Sequence, residues 1–87
     1  MHELSLTESL VDVVEERLAG DLAGRTVVTV HLRVGREAGV MADAMAFCWD
    51  VVTAATPLAG SRLEIEETAG DELALASVEL LKEESGV

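Results

Sequence analysis

The sequence predicts one α/β (α+β) domain in which two helices pack on one face of a small sheet. Three observations predict it. Two segments carry apolar residues at helical spacing, two others alternate as strands do, and glycine or proline separates them. The length of 87 residues is that of a single domain, residues 1–87, and there are no internal repeats or linkers. Phe47 and Trp49 are the only aromatic residues, so the core must be aliphatic.

The first predicted element is an amphipathic helix from Leu6 to Leu18. Its apolar residues recur at spacings of three and four and form one face: Leu6, Leu10, Val13, Val14 and Leu18. Ser5 and Glu8 fit a capping box at the start of this helix, and Gly20 ends it.

The second predicted element is a strand from Thr26 to Val34, rich in β-branched residues. Alternation places Val28, Val30, Leu32 and Val34 on one face, and Val27, Thr29, His31 and Arg33 on the other. Gly35 and Gly39 bracket the loop that follows.

A second helix is predicted from near Met41 to Ala55, and Pro57 ends it because the residue before proline avoids the helical region. The residues expected to face the core are Ala44, Phe47, Cys48, Val51 and Ala55.

The last two segments complete the predicted fold. Arg62 to Thr68 alternates as a strand, with Leu63 and Ile65 inward and the glutamates outward. Leu73 to Leu81 is ambiguous, since its composition suits a helix and its alternation suits a strand. The pattern alone slightly favours a helix.

Composition and charge exclude several classes of function. Six basic residues against seventeen acidic ones give a net charge of -11, which argues against nucleic acid and anionic membranes as partners. No apolar run reaches the ~20 residues that span a bilayer, and the amino terminus does not resemble a signal peptide, so a cytoplasmic protein is expected.

A single cysteine, Cys48, precludes an intramolecular disulfide and a cysteine-based zinc site. No nucleophile–base pair appears, so the chain is not expected to be an enzyme.

The amino terminus carries the sharpest chemical signal. The Met1 amine, the amide and ring Nδ1 of His2, and the amide of Glu3 can together form a plane of four nitrogens. Such a plane suits nickel(II) or copper(II). The alternative is a chance histidine in a loose terminus. The other imidazole, His31, belongs to the polar face of the first strand.

Several stretches resemble the HypA/HybF family of nickel metallochaperones. They are Met-His-Glu-Leu-Ser-Leu at the start, residues 28–35, residues 47–52, and Thr-Pro-Leu-Ala-Gly-Ser-Arg-Leu-Glu-Ile-Glu-Glu from Thr56 to Glu67. Residues 71–79 resemble the family's last strand. The resemblance implies a three-stranded mixed sheet in the order helix, strand, helix, strand, strand. It also implies that His2 is the essential nickel ligand, assisted by the Met1 amine and by the amide or carboxylate of Glu3.

The resemblance further implies nickel delivery during the maturation of a nickel–iron hydrogenase, or in some bacteria of urease. The implied partners are a HypB-type GTPase that docks near the nickel site and the large hydrogenase subunit. Family members insert a zinc domain where this chain has only a few residues between Thr68 and Asp71, so we expect no structural zinc here. We expect a monomer or weak homodimer. The alternative is a metal-free docking module that keeps the fold and binds a maturation partner.

Three further expectations concern finer detail. The family's additional acidic nickel ligand aligns with Met41, with Asp43 nearby, so that ligand is not carried over. The short connection after Thr68 predicts that the last two strands form an antiparallel hairpin. The glutamates of the second strand, Glu64, Glu66 and Glu67, are expected to form a solvated face.

Overall fold

The computed structural model describes residues 3–82 and confirms the fold class. The element order is helix, strand, helix, strand, strand, as the resemblance implied. The bounds are α1 Glu3–Ala19, β1 Val27–Gly35, α2 Ala42–Thr53, β2 Arg62–Thr68 and β3 Leu73–Leu80. The last segment is therefore a strand, and the slight preference for a helix drawn from its pattern was wrong. None of the helices within residues 3–82 is long and apolar enough to cross a membrane.

The sheet is mixed, with strand order β2-β1-β3. β1 lies in the centre, parallel to β2 and antiparallel to β3. The parallel pair requires a crossover connection, and α2 supplies it. β1 is the most buried strand, because its central position pairs both of its edges and its inward face contacts the helices. The buried core consists of Leu10, Val11, Val14, Val27, Val30, Leu32, Val34, Met45, Trp49 and Leu58.

The predicted hairpin between the last two strands is wrong, because β2 and β3 lie on opposite sides of β1. Two inter-strand spacings amount to about 10 Å, and the residues 69–72 can span more than that when extended. The connection passes over the end of β1 and hydrogen-bonds to it. Gly35 N donates to Glu72 O at 2.6 Å, and Glu37 N donates to Gly70 O at 2.7 Å. A short connection therefore does not force a hairpin when the strand between can bind it.

Gly35 is the residue that permits this crossing. A Cβ at position 35 would lie 2.3 Å from the carbonyl oxygen of Gly70 and 2.7 Å from the amide nitrogen of Glu72, both backbone atoms. We expect Gly35→Ala to lower the free energy of unfolding by at least about 1–3 kcal/mol, because the loop must move and its bonds to β1 must break. Urea unfolding measures this difference. Gly20→Ala is the matched control, since its Cβ would meet nothing nearer than 3.5 Å. Equal stability of both variants would contradict the close crossing.

The helix faces differ from those predicted. α1 begins at Glu3, so Ser5 lies inside the helix and the predicted capping box with Glu8 is wrong. The buried residues of α1 are Glu3, Thr7, Leu10, Val11 and Val14, whereas Val13 is 47% exposed. The face is rotated because α1 packs against α2 as well as against the sheet, which brings Val11 inward.

The face of α2 was also predicted wrongly. Met45, Trp49 and Thr53 are buried, while Phe47 is 81% exposed and Val51 is 72% exposed. Of the other residues predicted to face the core, Ala44 and Cys48 are half-buried, and Ala55 is exposed and lies beyond the end of the helix. Trp49 lies inside because its indole Nε1 donates to the buried Ser61 Oγ at 3.1 Å, which satisfies the one polar atom of the ring.

The predicted inward faces of β1 and β2 hold with one exception. Val30, Leu32 and Val34 are buried, and the inward residues of β2, Leu63 and Ile65, pack against the core. The exception lies at the start of β1, where Val27 is buried and Val28 is partly exposed. A register shift between Val27 and Thr29 in the pairing with β3 reverses the alternation there.

Candidate metal centre

The predicted metal ligands lie at the start of the chain. Met1 and His2 are outside the described residues, so the geometry of the candidate centre begins at Glu3. Glu3 is the first residue of α1 and is only 7% exposed. Its backbone carbonyl accepts a hydrogen bond from Thr7 Oγ1 at 2.6 Å, within the first turn of the helix.

The carboxylate of Glu3 binds the loop that leads into α2. Its Oε2 accepts a hydrogen bond from the backbone amide of Met41 at 2.9 Å. Gly39, with φ of 75°, gives this loop a left-handed turn two residues earlier, a conformation that glycine adopts without strain. The Glu3 contact therefore joins the beginning of α1 to the residue that precedes α2.

Electrostatics keep this carboxylate ionised. The amino-terminal ammonium group, and next the hydrogen bond from the Met41 amide, lower the pKa of the Glu3 carboxyl from 4.5 to about 2. The carboxylate is therefore ionised throughout the neutral range and can accept the hydrogen bond from the Met41 amide.

The amide of Glu3 occupies a special position in the helix. The first four amides of an α-helix stand outside its i→i−4 hydrogen-bond ladder, and that of Glu3 is the first in α1. Metal coordination at this nitrogen would therefore break no bond of the helix ladder.

Met41 lies beside the candidate centre, and the sequence alone did not indicate its role there. Position 41 aligns with the family's acidic ligand, but the sequence does not predict the backbone contact of Met41 with Glu3. The Met41 side chain is 64% exposed, and Asp43 is exposed in the first turn of α2. The signal for the contact was present only in the resemblance, which placed position 41 near the nickel ligands.

The other candidate ligands lie elsewhere. His31 is on the open face of the sheet, as alternation predicted, and its Nε2 lies 2.8 Å from Glu79 Oε2. The solvent exposure predicted for the glutamates of β2 is confirmed, since Glu64, Glu66 and Glu67 are all exposed. Cys48 is half-buried on α2. Across residues 3–82, the structure assembles no group of three or more His, Cys, Asp or Glu side chains suited to a metal ion.

Comparison with known proteins gives the family. A family model described as "Hydrogenase/urease nickel incorporation, metallochaperone, hypA" matches residues 1–79. This chain belongs to the HypA family. That family is described as a metallochaperone, which agrees with the expectation that the chain is not an enzyme.

Individual relatives are named as hydrogenase maturation factors. The chain is 52% identical over 67 residues to the hydrogenase maturation factor HypA of Roseiflexus sp. (strain RS-1), covering 77% of this chain and 54% of that protein. It is 41% identical over 70 residues to the corresponding factor of Geobacter metallireducens, covering 80% of this chain and 60% of that protein. It is 44% identical over 75 residues to that of Alkalilimnicola ehrlichii, covering 86% and 66%. The chain thus spans about half to two thirds of the length of these relatives.

Proposed function

We propose that this chain binds one nickel(II) ion through the Met1 amine, His2 and Glu3, and delivers it during the maturation of a nickel–iron hydrogenase. The observation that carries the proposal is the extent of the family match, which begins at residue 1. All three ligands therefore lie inside the part of the chain shared with a nickel-incorporation family. The names of the relatives specify hydrogenase, so hydrogenase is favoured over urease as the enzyme served.

The proposed ligand set has a simple chemistry. The amine, the His2 amide and ring Nδ1, and the Glu3 amide would close adjacent chelate rings around nickel in one plane. The structure supports the proposed ligand set at Glu3. The bond from the Met41 amide holds the Glu3 side chain, so the chelate would begin from a fixed point on α1.

The remaining features of the proposal follow from the family resemblance. The chain would act in the cytoplasm as a single nickel-binding domain, a monomer or weak homodimer. Its partners would be a HypB-type GTPase and the large hydrogenase subunit. Because residues 69–72 form the whole connection between β2 and β3, the family's zinc domain has no place there, and we propose that the chain carries no structural zinc.

Equilibrium dialysis of the tag-free chain against nickel tests the proposal. We expect about one ion bound per chain near pH 8. Binding should release protons and weaken as the pH falls from about 8 to about 6, because the amine, the imidazole and the amides must lose protons before they coordinate. No binding at about pH 8 would contradict the proposal and would favour the metal-free docking module.

A further inference from the structure

A groove lies between the two helices, and its residues are distinct from the candidate nickel ligands. It has a volume of about 580 Å³ and is lined entirely by helix residues and the turn after α2. Its floor includes Val11, which is 3% exposed, and the half-buried Val52. We call it the helical groove and define it by its lining residues: Leu4, Glu8, Val11, Asp12, Glu15, Val51, Val52 and Thr56.

Large apolar side chains are exposed to solvent in or beside this groove. Leu4 is 52% exposed on α1, and Val51 is 72% exposed on α2. Phe47, at 81% exposed, lies one helical turn before Val51 and so on the same side of α2. Scattered exposed apolar residues are common, but a cluster beside an apolar groove is typical of a surface that binds a partner.

The rim of the helical groove is acidic. Glu8, Asp12 and Glu15 follow one another along α1 at spacings of four and three, and all three line the groove. Neither the lining residues nor α2 include a lysine or arginine. The one basic residue of α1, Arg17, pairs with Asp21 at 2.9 Å. Among the described residues that line the groove, none carries a positive charge that could neutralise the three carboxylates.

These observations specify the chemistry of an occupant. Apolar side chains at helical spacing would fill the groove, and lysine or arginine beside them would meet the acidic rim. The lining residues of α1 run from Leu4 to Glu15, a length of about 16 Å, which matches three turns of a helix. A second copy of this chain fits poorly, because each copy carries a net charge of -11. An anionic membrane is disfavoured by the same charge.

We propose that the helical groove binds a basic amphipathic helix of a partner protein. The apolar stripe of that helix would pack on Leu4, Val51 and Phe47, and its basic flank would face Glu8, Asp12 and Glu15. This proposal is separate from nickel binding, because none of the lining residues found within residues 3–82 is a candidate nickel ligand.

The test uses a fluorescein-labelled peptide of about 18 residues with leucines along one helical face and lysines beside them. Fluorescence anisotropy measures its binding to the tag-free chain, and a peptide with the same residues in scrambled order is the control. We expect the amphipathic peptide to bind at least about tenfold more tightly than the scrambled one, because only the former presents a continuous apolar stripe. Equal binding of the two peptides would overturn the proposal, and so would failure of both to bind.

Two variants locate the site. Glu8→Gln/Asp12→Asn/Glu15→Gln should weaken binding at least about tenfold, as should Val51→Ser. The matched control Glu37→Gln/Glu66→Gln/Asp71→Asn changes the same number of exposed acidic residues outside the groove and should leave the affinity unchanged. If this control weakens binding as much as the groove variant, the attraction is general charge and the proposal is wrong.

Two further measurements separate other occupants. Sedimentation equilibrium should show that the tag-free chain does not self-associate through the groove. Self-association that Val51→Ser abolishes would identify a second copy as the occupant and overturn the proposal. Binding to vesicles of phosphatidylserine that the same substitution removes would overturn it in favour of a membrane surface. Circular dichroism should show the wild-type fold in Val51→Ser, because residue 51 is 72% exposed.

Discussion

Replacing His2 with alanine is expected to abolish nickel binding by the tag-free chain. His2 would supply the ring nitrogen that closes the six-membered chelate ring, and alanine offers no ligand in its place. Loss of residues that merely orient a ligand already costs about 10–100-fold in metal affinity, so loss of a ligand itself should exceed that. Isothermal titration calorimetry of the variant should show no saturable heat where the wild-type chain binds one ion.

The matched control is His31→Ala. His31 lies on the open face of the sheet beside Glu79, and it is the only other histidine of the chain. Nickel affinity should be unchanged in this variant. Retention of wild-type affinity by His2→Ala, together with loss in His31→Ala, would move the site from the amino terminus to the sheet.

Replacing Trp49 with alanine should cause the largest loss of stability among single core substitutions. Trp49 is 1% exposed and is the largest side chain of the core. Removal leaves a cavity and deprives Ser61 Oγ of the hydrogen bond that the indole donates. We expect the free energy of unfolding to fall by about 3–5 kcal/mol, measured by urea unfolding.

Phe47→Ala provides the control, because Phe47 lies two residues earlier on the same helix and is 81% exposed. The change in stability should stay within about 0.5 kcal/mol. Similar losses for the two variants would mean that Phe47 packs in the core, as the sequence had predicted, and that the face of α2 is misplaced.

Strands proved more predictable from the sequence than helix faces, and the reason is physical. The inward face of β2 follows from the alternation of Leu63 and Ile65 with Glu64 and Glu66. α2 is apolar nearly all round, so periodicity cannot select a face. Its orientation depends on the partner that Ser61 provides for Trp49, a contact between residues twelve positions apart that no local pattern encodes.

The order of the strands in the sheet could not be predicted from local sequence patterns either. The connection after β2 is short enough for a hairpin, yet it crosses β1 because Gly35 lacks a side chain and the β1 backbone binds the loop. The crossing depends on the close approach of Gly70 to Gly35. A sequence does not reveal such a distance between residues far apart in the chain.

The candidate site, too, could be predicted only in part from the sequence. The ligand types and their order at residues 1–3 can be read from the chain, because chelation by consecutive residues is a local property. The hydrogen bond between Glu3 and Met41 joins residues 38 positions apart, so only the folded structure reveals it. The sequence therefore predicts the chemistry of the site, and the structure adds the element that holds its third residue.

The most direct test of the central claim is a nickel titration of two matched proteins, one with a free Met1 amine and one with that amine acetylated. Both retain His2, Glu3 and the whole fold, so they differ only in one proposed ligand. The proposed ligand set predicts that the free protein binds nickel with a steep loss of affinity as the pH falls from about 8 to about 6, and that the acetylated protein loses this binding. Equal affinity and equal pH dependence in both proteins would contradict it, because nickel would then be bound without the amino terminus.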